Sequence, residues 1–514
     1  MSEGNGRELP MGWAATTLNE IVAPRTGKAN PQATPTARFI GMEQVEAQTM
    51  RLLGTVPASS MKSSANEFRP HDVLYGRLRA YLNKVYQPDF CGLCSGEFIV
   101  LPETIAAHGR FLKYRINSGD FVRFASRINT GDRPRVDWDQ IKTFGLSLPP
   151  EPEQQRIADT LDELLSDLDA GVAALERVRA KLKHYKTAVL KAAVEGALTA
   201  EWRAQHPGTE PASALLTRIL AGRRRRWEEA QLQKFKETGK TPPKDWKAKY
   251  KEPVAPNMAT LQPLPEGWCW ASPAQLGDVQ LGRQRAPQHH NGKFMRPYLR
   301  VANVYEDRIE LRSIYEMNFT PDEFETFQLQ RGDILLNEGQ SLELVGRSAI
   351  YRDELPGACF TNTLVRFRPD KGVMPEFAQT YFRACLRSHR FRKLARWTTN
   401  IAHLGADRFA AMEVPLPPLP EQEAIVEAVE DQLSVIDHLE ANLEAKLTSA
   451  QALRQSILRQ AFTGQLVPQD PNDEPASELL KRISAEREER ARQARAAKQT
   501  KPKTKTPRNR TAKA

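Results

Sequence analysis

The chain lacks the sequence marks of most nucleotide-, metal- and cofactor-dependent enzymes. It has no G-x-x-x-x-G-K-[ST] phosphate loop, no G-x-G-x-x-G after a strand and no H-E-x-x-H pair. Those patterns exist because backbone N–H groups must approach a phosphate, or because two histidines must share one helix face. The Asn/Asp-Pro-Pro-aromatic motif of amino-methyltransferases is absent as well. No ATP or methyl-donor site is therefore recognisable, and no cofactor is expected on this chain. Long hydrophobic runs are also missing: no stretch of eighteen apolar residues occurs, and the opening MSEGNGRELP has no apolar signal core. A cytoplasmic protein that stays out of the membrane is expected.

Cysteine is scarce. Cys91, Cys94, Cys269, Cys359 and Cys385 are odd in number and mostly scattered, which argues against a disulfide framework. Cys91-x-x-Cys94 has metal-like spacing but no second ligand pair, and reads as two small residues at a turn into a strand. His289 and His290 lie in the polar loop RQRAPQHHNGK without a carboxylate pattern that would make them ligands, and read as surface or DNA-contacting residues. Asp72 and Asp333 occupy equivalent positions between turn and strand, where aspartate is favoured by local backbone bonding.

What the chain does have is a repeat. PEQQRIADTLDELLSDLDAGVAALERVRAKLKHYKTAVLKAAVEGAL from Pro152 is matched without a gap by PEQEAIVEAVEDQLSVIDHLEANLEAKLTSAQALRQSILRQAFTGQL from Pro420. In the first copy Ile157, Leu161, Leu164, Leu168, Val172, Leu175, Val178, Leu182, Tyr185 and Val189 follow at intervals of three or four. The second copy repeats this through Ile425, Val429, Leu433, Ile436, Leu439, Leu443, Leu447 and Ile457. The mean interval, near 3.5 residues, is the coiled-coil period. Pro152 and Pro420 suit a first helical turn, and Gly196 and Gly464 suit the stop. About 45 residues at 1.5 Å each give a rod of roughly 65 Å, and one apolar stripe of that length needs a partner. Ile157, Leu161, Leu165, Leu168 and Leu175 are expected to pair with Ile425, Val429, Leu433, Ile436 and Leu443 or to dock other subunits.

Landmarks outside the rods repeat too. LPMGWAA from Leu9 is echoed by LPEGWCW from Leu264, HDVLYGR around Asp72 by GDILLNE around Asp333, and PASALLTRI from Pro211 by PASELLKRI from Pro475. The repeating unit is a globular module, a rod and a short helix. At 514 residues the chain exceeds one core. Boundaries are expected at 1–149 for a first module, 150–198 for a rod, 199–262 for a helical, basic linker, 263–416 for a second module and 417–466 for the second rod. A short helix at 467–490 and a disordered basic tail at 491–514 follow. Strand-like runs between turns, such as FIGMEQV from Phe39 and EFIVL from Glu97, make the modules mixed α/β, and the whole an α+β protein with an internal pseudo-two-fold repeat.

A net charge of +11 and a pI near 9.3 fit a polyanionic partner, although ribosome-like or membrane-surface binding would give the same balance. Basic and polar side chains fall in corresponding loops of the two modules. The first offers Arg25, Lys28, Arg77, Arg79, Tyr81, Lys84, Arg133 and Arg135. The second offers Arg283, Gln284, Arg285, Gln288, Asn337, Gln340, Thr399, Asn400 and His403. Arginine and lysine suit phosphates and guanine edges, while asparagine and glutamine suit adenine edges. The four-arginine run Arg223 to Arg226 and the basic tail suit non-specific contact.

Two variable modules, each ending in a hydrophobic-Pro-Pro-x-Pro-Glu-Gln motif that opens a long helix, resemble the specificity subunit of type I restriction-modification enzymes. The residues that carry the resemblance are LSLPPEPEQQRIADTLDELL from Leu146 and VPLPPLPEQEAIVEAVEDQL from Val414, with VLKAAVEGALT and ILRQAFTGQLV closing the helices. The linker interior and the final tail fall outside it. The resemblance implies two target recognition domains, each reading half of a bipartite site in double-stranded DNA, separated by two long antiparallel coiled-coil helices. It further implies docking of two methyltransferase subunits and two restriction/translocase subunits. S-adenosylmethionine, ATP and Mg would then act on those partners, and the chain would have no catalytic residues and no metal of its own. Because the module sequences differ, the target is expected to be asymmetric. The alternative is a coiled-coil scaffold whose modules bind protein or carbohydrate, and a stand-alone nuclease ranks third.

Overall fold

The computed structural model describes residues 8–128, 132–398 and 400–499. The chain divides into two compact units, Met1–Glu176 with Glu444–Ala514 and Arg177–Leu443. Both mix helices with small sheets. The expected long helices span Glu151–Val194 and Leu419–Phe462, 44 residues each.

In the first unit, Val73–Gly76 lies between Val85–Tyr86 and Phe98–Leu101, beside a five-stranded sheet whose middle strand is Gly92–Ser95. Val73, Leu74 and Tyr75 are buried in succession because this strand is covered on both faces. The opening strand Ala14–Thr17 pairs antiparallel with Gly145–Leu148, which delivers the chain to the first long helix. Ile157, Leu161 and Leu165 on that helix share a core with Ile457, Leu458 and Ala461 near the end of the second.

The second unit repeats the plan. Ile334–Asn337 lies between Leu364–Pro369 and Ser348–Ile350, and Cys269–Ala271 pairs with Val414–Leu416 at the entry to the second long helix. Val189, Leu190 and Ala193 pack with Ile425, Val426, Val429, Leu433 and Ile436. Leu168 and Leu175 are half-buried, whereas Leu164, Val178, Tyr185 and Leu439 of the apolar stripe are exposed.

Each long helix stops two residues before a glycine with positive φ, Gly196 (+74°) and Gly464 (+72°). A Cβ at Gly196 would stand 2.7 Å from Pro265, and one at Gly464 would stand 2.4 Å from Pro10. Left-handed backbone and the close proline both require glycine here.

Two expectations need revision. The stretch read as a helical, basic linker does hold a helix, Ala212–Glu237 of 26 residues, but it is more than a linker, since Ala212, Leu215 and Ile219 belong to the second unit's core. Their three- and four-residue spacing puts them on one helix face, so local charge did not decide the fate of the segment. The final helix runs from Ala476 to Gln499, past the expected boundary at 490, and the remainder of the basic tail lies outside the described residues.

Candidate nucleic-acid interface

The joints that carry each module are nearly superimposable in chemistry. Trp13 Nε1 donates to Glu153 at 3.0 Å, and Trp268 Nε1 donates to Glu421 at 2.8 Å. Gln154 donates to the carbonyls of Pro149 and Ala106 and accepts from His108 N. Gln422 donates to the carbonyls of Pro417 and Gly372 and accepts from Met374 N. All four Glu and Gln side chains are buried. The glutamine of the motif therefore saturates backbone groups at the junction of module and helix, and the glutamate holds the module's indole, where an unpaired polar group would be costly. The first residues of the helices Ala476–Gln499 and Ala212–Glu237 donate to Gly12 O and Gly267 O, both at 2.8 Å.

Asp72 and Asp333 close a second matched joint. Each accepts a backbone N–H three residues upstream at 2.8 Å, and each holds an arginine bidentately, Arg25 in the first module and Arg368 in the second. Arg25, partly exposed, is thus held in an ion pair with Asp72. Asp72 stands at one end of the strand Val73–Gly76, while Arg77 leaves the other end.

At that other end the structure brings two groups of expected residues together. In module one, Arg77 N donates to Glu97 O and Val136 N donates to Arg77 O, so residues 77–79 run alongside 134–136. Arg79, held with φ at +54°, turns its side chain to solvent beside exposed Tyr81, Arg133 and Arg135. Arg77 is paired with Asp137 and Arg135 with Glu97, and Lys84 donates to Met42 O, so these three are positioned rather than loose. Lys28 is exposed on a different edge strand, Lys28–Ala29.

Module two builds the same node: Glu338 N donates to Thr363 O, and Leu404 N donates to Glu338 O. Glu338 occupies the position of Arg77, so the charge at the node is reversed. Around it, Gly339–Gln340, Ala402–His403 and Arg396–Trp397 form a three-stranded sheet. His403 Nδ1 meets Glu338 at 3.0 Å, and Gln340 and exposed Asn400 lie close along the chain. Thr399 lies outside the described residues.

Two expected contacts in this module are corrected. Asn337 is fully buried, and Arg283 is buried against Glu323, the Asn318 carbonyl and His289. Their polar groups serve the interior. Gln284, Arg285, Gln288 and His290 remain exposed on the loop they begin. Of the four-arginine run, Arg223 and Arg226 hold Asp370, and Arg224 holds Glu228 and Glu252. Arg396 and Trp397, both exposed beside His403, were not among the expected contacts, and Trp397 falls outside a search for basic and amide side chains. Their signal, an apolar ring next to a basic run (FRKLARW), was present.

Cys91 is exposed and Cys94 is buried on the strand that follows, where burial raises its thiol pKa. Among the described residues no group of three His, Cys, Asp or Glu side chains could hold a metal ion, and no helix is long and apolar enough to cross a membrane.

A repeated frame that carries two divergent, polar loop clusters defines a two-headed binding protein. The family model described as type I restriction modification DNA specificity domain matches residues 90–177 and 275–449, just over half of the chain, which therefore belongs to that family. The chain is 24% identical over 408 residues to the EcoKI specificity subunit of Escherichia coli K12, covering 77% of this chain and 74% of that one. It is also 24% identical over 503 residues to the EcoDI specificity subunit of Escherichia coli, covering 93% and 96%. A chain solved in work on complex assembly and conformational transition of the type I R-M system shares the fold, with a TM-score of 0.61 at 18% identity over 90% of this chain and all of that one. Family membership makes the protein a DNA-specificity component without a catalytic role of its own, and decides against the scaffold reading.

Proposed function

We propose that the two loop clusters each read one half of a bipartite, asymmetric DNA target. The observation that carries this is the matched backbone node with different side chains, Arg77 in one module and Glu338 in the other. Arginine donates to guanine N7 and O6, whereas glutamate accepts from cytosine N4, so one geometry at the node can select different bases. Arg79, Tyr81, Arg133 and Arg135 serve the first half-site, and Gln340, Asn400, Thr399 and His403 serve the second. Lys28 on its edge strand and Gln284, Arg285 and Gln288 in their loop are exposed and suit phosphates.

The two long helices act as an antiparallel coiled-coil spacer that gives the modules a pseudo-two-fold relation and fixes the gap between half-sites. Support comes from each unit separately, where the start of one helix packs with the end of the other. The exposed stripe residues Leu164, Val178, Tyr185 and Leu439 suit docking of partner subunits. Two methyltransferase subunits and two restriction/translocase subunits would supply the chemistry, using S-adenosylmethionine, ATP and Mg bound on themselves, in the cytoplasm. The methyltransferase would rotate its adenine out of the duplex while this chain holds the register.

Co-expression with the methyltransferase partner, followed by genome-wide mapping of modified adenines, tests the reading. One asymmetric motif in two parts with a constant gap is the expected result. Modification without such a motif would refute it.

A further inference from the structure

Beyond its hydrogen-bonding groups, the reading end of module two carries an exposed apolar edge. Trp397 lies opposite Ala402, and Ala402 lies opposite Gln340, so the three side chains share one side of the small sheet. Ala402 is buried in the core, whereas Trp397 is 55% exposed and continues the same face past the rim into solvent. Ile401, next to Ala402 in sequence, faces the other side of the sheet, where it lies with His403 over Gly339.

The ribbon that presents Trp397 is pinned at its root. Arg408 donates to Leu394 O at 3.1 Å and to His403 O at 2.7 Å, tying both ends of the segment, and Thr398 N donates to Ile401 O at 3.0 Å. Exposed Arg392, Lys393 and Arg396 stand in the same stretch of chain. A tryptophan held in water on a ribbon that also carries three cations is matched to a ligand that is anionic outside and flat and apolar inside. Duplex DNA has that make-up, with phosphates around stacked bases. The matching segment of module one places Arg133 and Arg135 there.

We infer that Trp397 forms a wedge that presses into one base step of the half-site bound by module two and partly unstacks it. This rests on the DNA-reading function proposed above. Apolar side chains inserted between base steps kink the duplex, and pyrimidine–purine steps open most easily. Module two therefore selects one position by its deformability as well as others by hydrogen bonds.

The test uses the full chain in complex with its methyltransferase subunit, on duplexes carrying the mapped target. 2-Aminopurine is placed in turn at each position of the second half-site other than the methylated adenine, since its fluorescence rises when it loses its stacking neighbours. With the unaltered chain one position brightens. Trp397→Ala abolishes that brightening and weakens binding roughly tenfold or more, as expected when one base no longer stacks on an aromatic ring, and Trp397→Phe keeps most of both. An unchanged fluorescence profile and affinity in Trp397→Ala overturns the inference. Equal loss in Trp397→Ala and Trp397→Phe, with a lowered melting temperature, also overturns it by assigning the ring a structural role. A complex that prefers no duplex over random DNA refutes the DNA reading itself, and is distinguished because no target then exists to distort.

Discussion

The base and the tip of each module obey different rules. At the base, Trp13 with Glu153 and Gln154 is repeated by Trp268 with Glu421 and Gln422, down to which carbonyls each glutamine satisfies. At the tip, the same backbone node carries Arg77 in one copy and Glu338 in the other. A joint must saturate a fixed set of backbone groups, so its side chains have little freedom. A tip only has to present side chains to a ligand, and two copies that face different ligands can differ in sign.

The largest effects are expected at the joints. Trp13→Ala and Trp268→Ala each remove a large buried ring and leave a buried carboxylate short of a donor, and should cost about 3–5 kcal/mol in their own unit. Chemical denaturation with hydrogen exchange resolved by unit reads the effect. Collapse of one unit with no effect of the other variant would mean that the joints are not equivalent.

The carboxylates at the joints come next. Glu421 receives Arg203 and Thr199 as well as Trp268, whereas Glu153 receives Gln469 and Trp13. Burial raises the pKa of Glu153 against the opposing pull of those two hydrogen bonds. Glu421→Gln should therefore cost about 2 kcal/mol, the worth of a charge-assisted bond, and Glu153→Gln less than about 1. A carboxyl group with a raised folded pKa favours the folded state most at low pH, and its contribution falls as pH rises from the unfolded value through the folded one. The difference between Glu153→Gln and the unaltered chain should change across that window in a pH series of melts, and a flat difference would argue against the burial.

At the tips, Arg79→Ala should weaken DNA binding by about 1–2 kcal/mol and relax only the half-site of module one. Relaxation of both half-sites would show that the tips do not read independently. The smallest effect is expected from the exposed lysines of the central helical stretch, Lys234, Lys236, Lys240, Lys244, Lys249 and Lys251. Changing them to glutamine should leave the target unchanged and flatten the salt dependence of binding by about 0.9 for each phosphate that is no longer neutralised. A changed target would promote this arm from bystander to reader.

The long helices were legible because a stripe of period 3.5 over 44 residues has few other solutions. The family was legible because the Pro-Glu-Gln junction occurs twice, although nothing in the sequence announced that its Glu and Gln are buried fasteners. The tips were only half legible. Arg283 and Asn337 have the residue types of DNA contacts, yet both are buried, and the bases of strands look like their tips in a linear sequence. Trp397 escaped notice because an exposed tryptophan and a core tryptophan are written with the same letter. The segment around Ala212–Glu237 misled in the opposite direction, since its arginines masked an apolar face.

If the two tips read DNA independently, exchanging the loops of one tip should alter one half-site only. Residues 338–341 and 396–403 would be replaced together by the corresponding loops of a family member with a different target, and modified adenines mapped in cells that carry the methyltransferase partner. The expected motif keeps its first half and gap and has an altered second half. A motif changed in both halves, or in the length of the gap, would contradict independent reading.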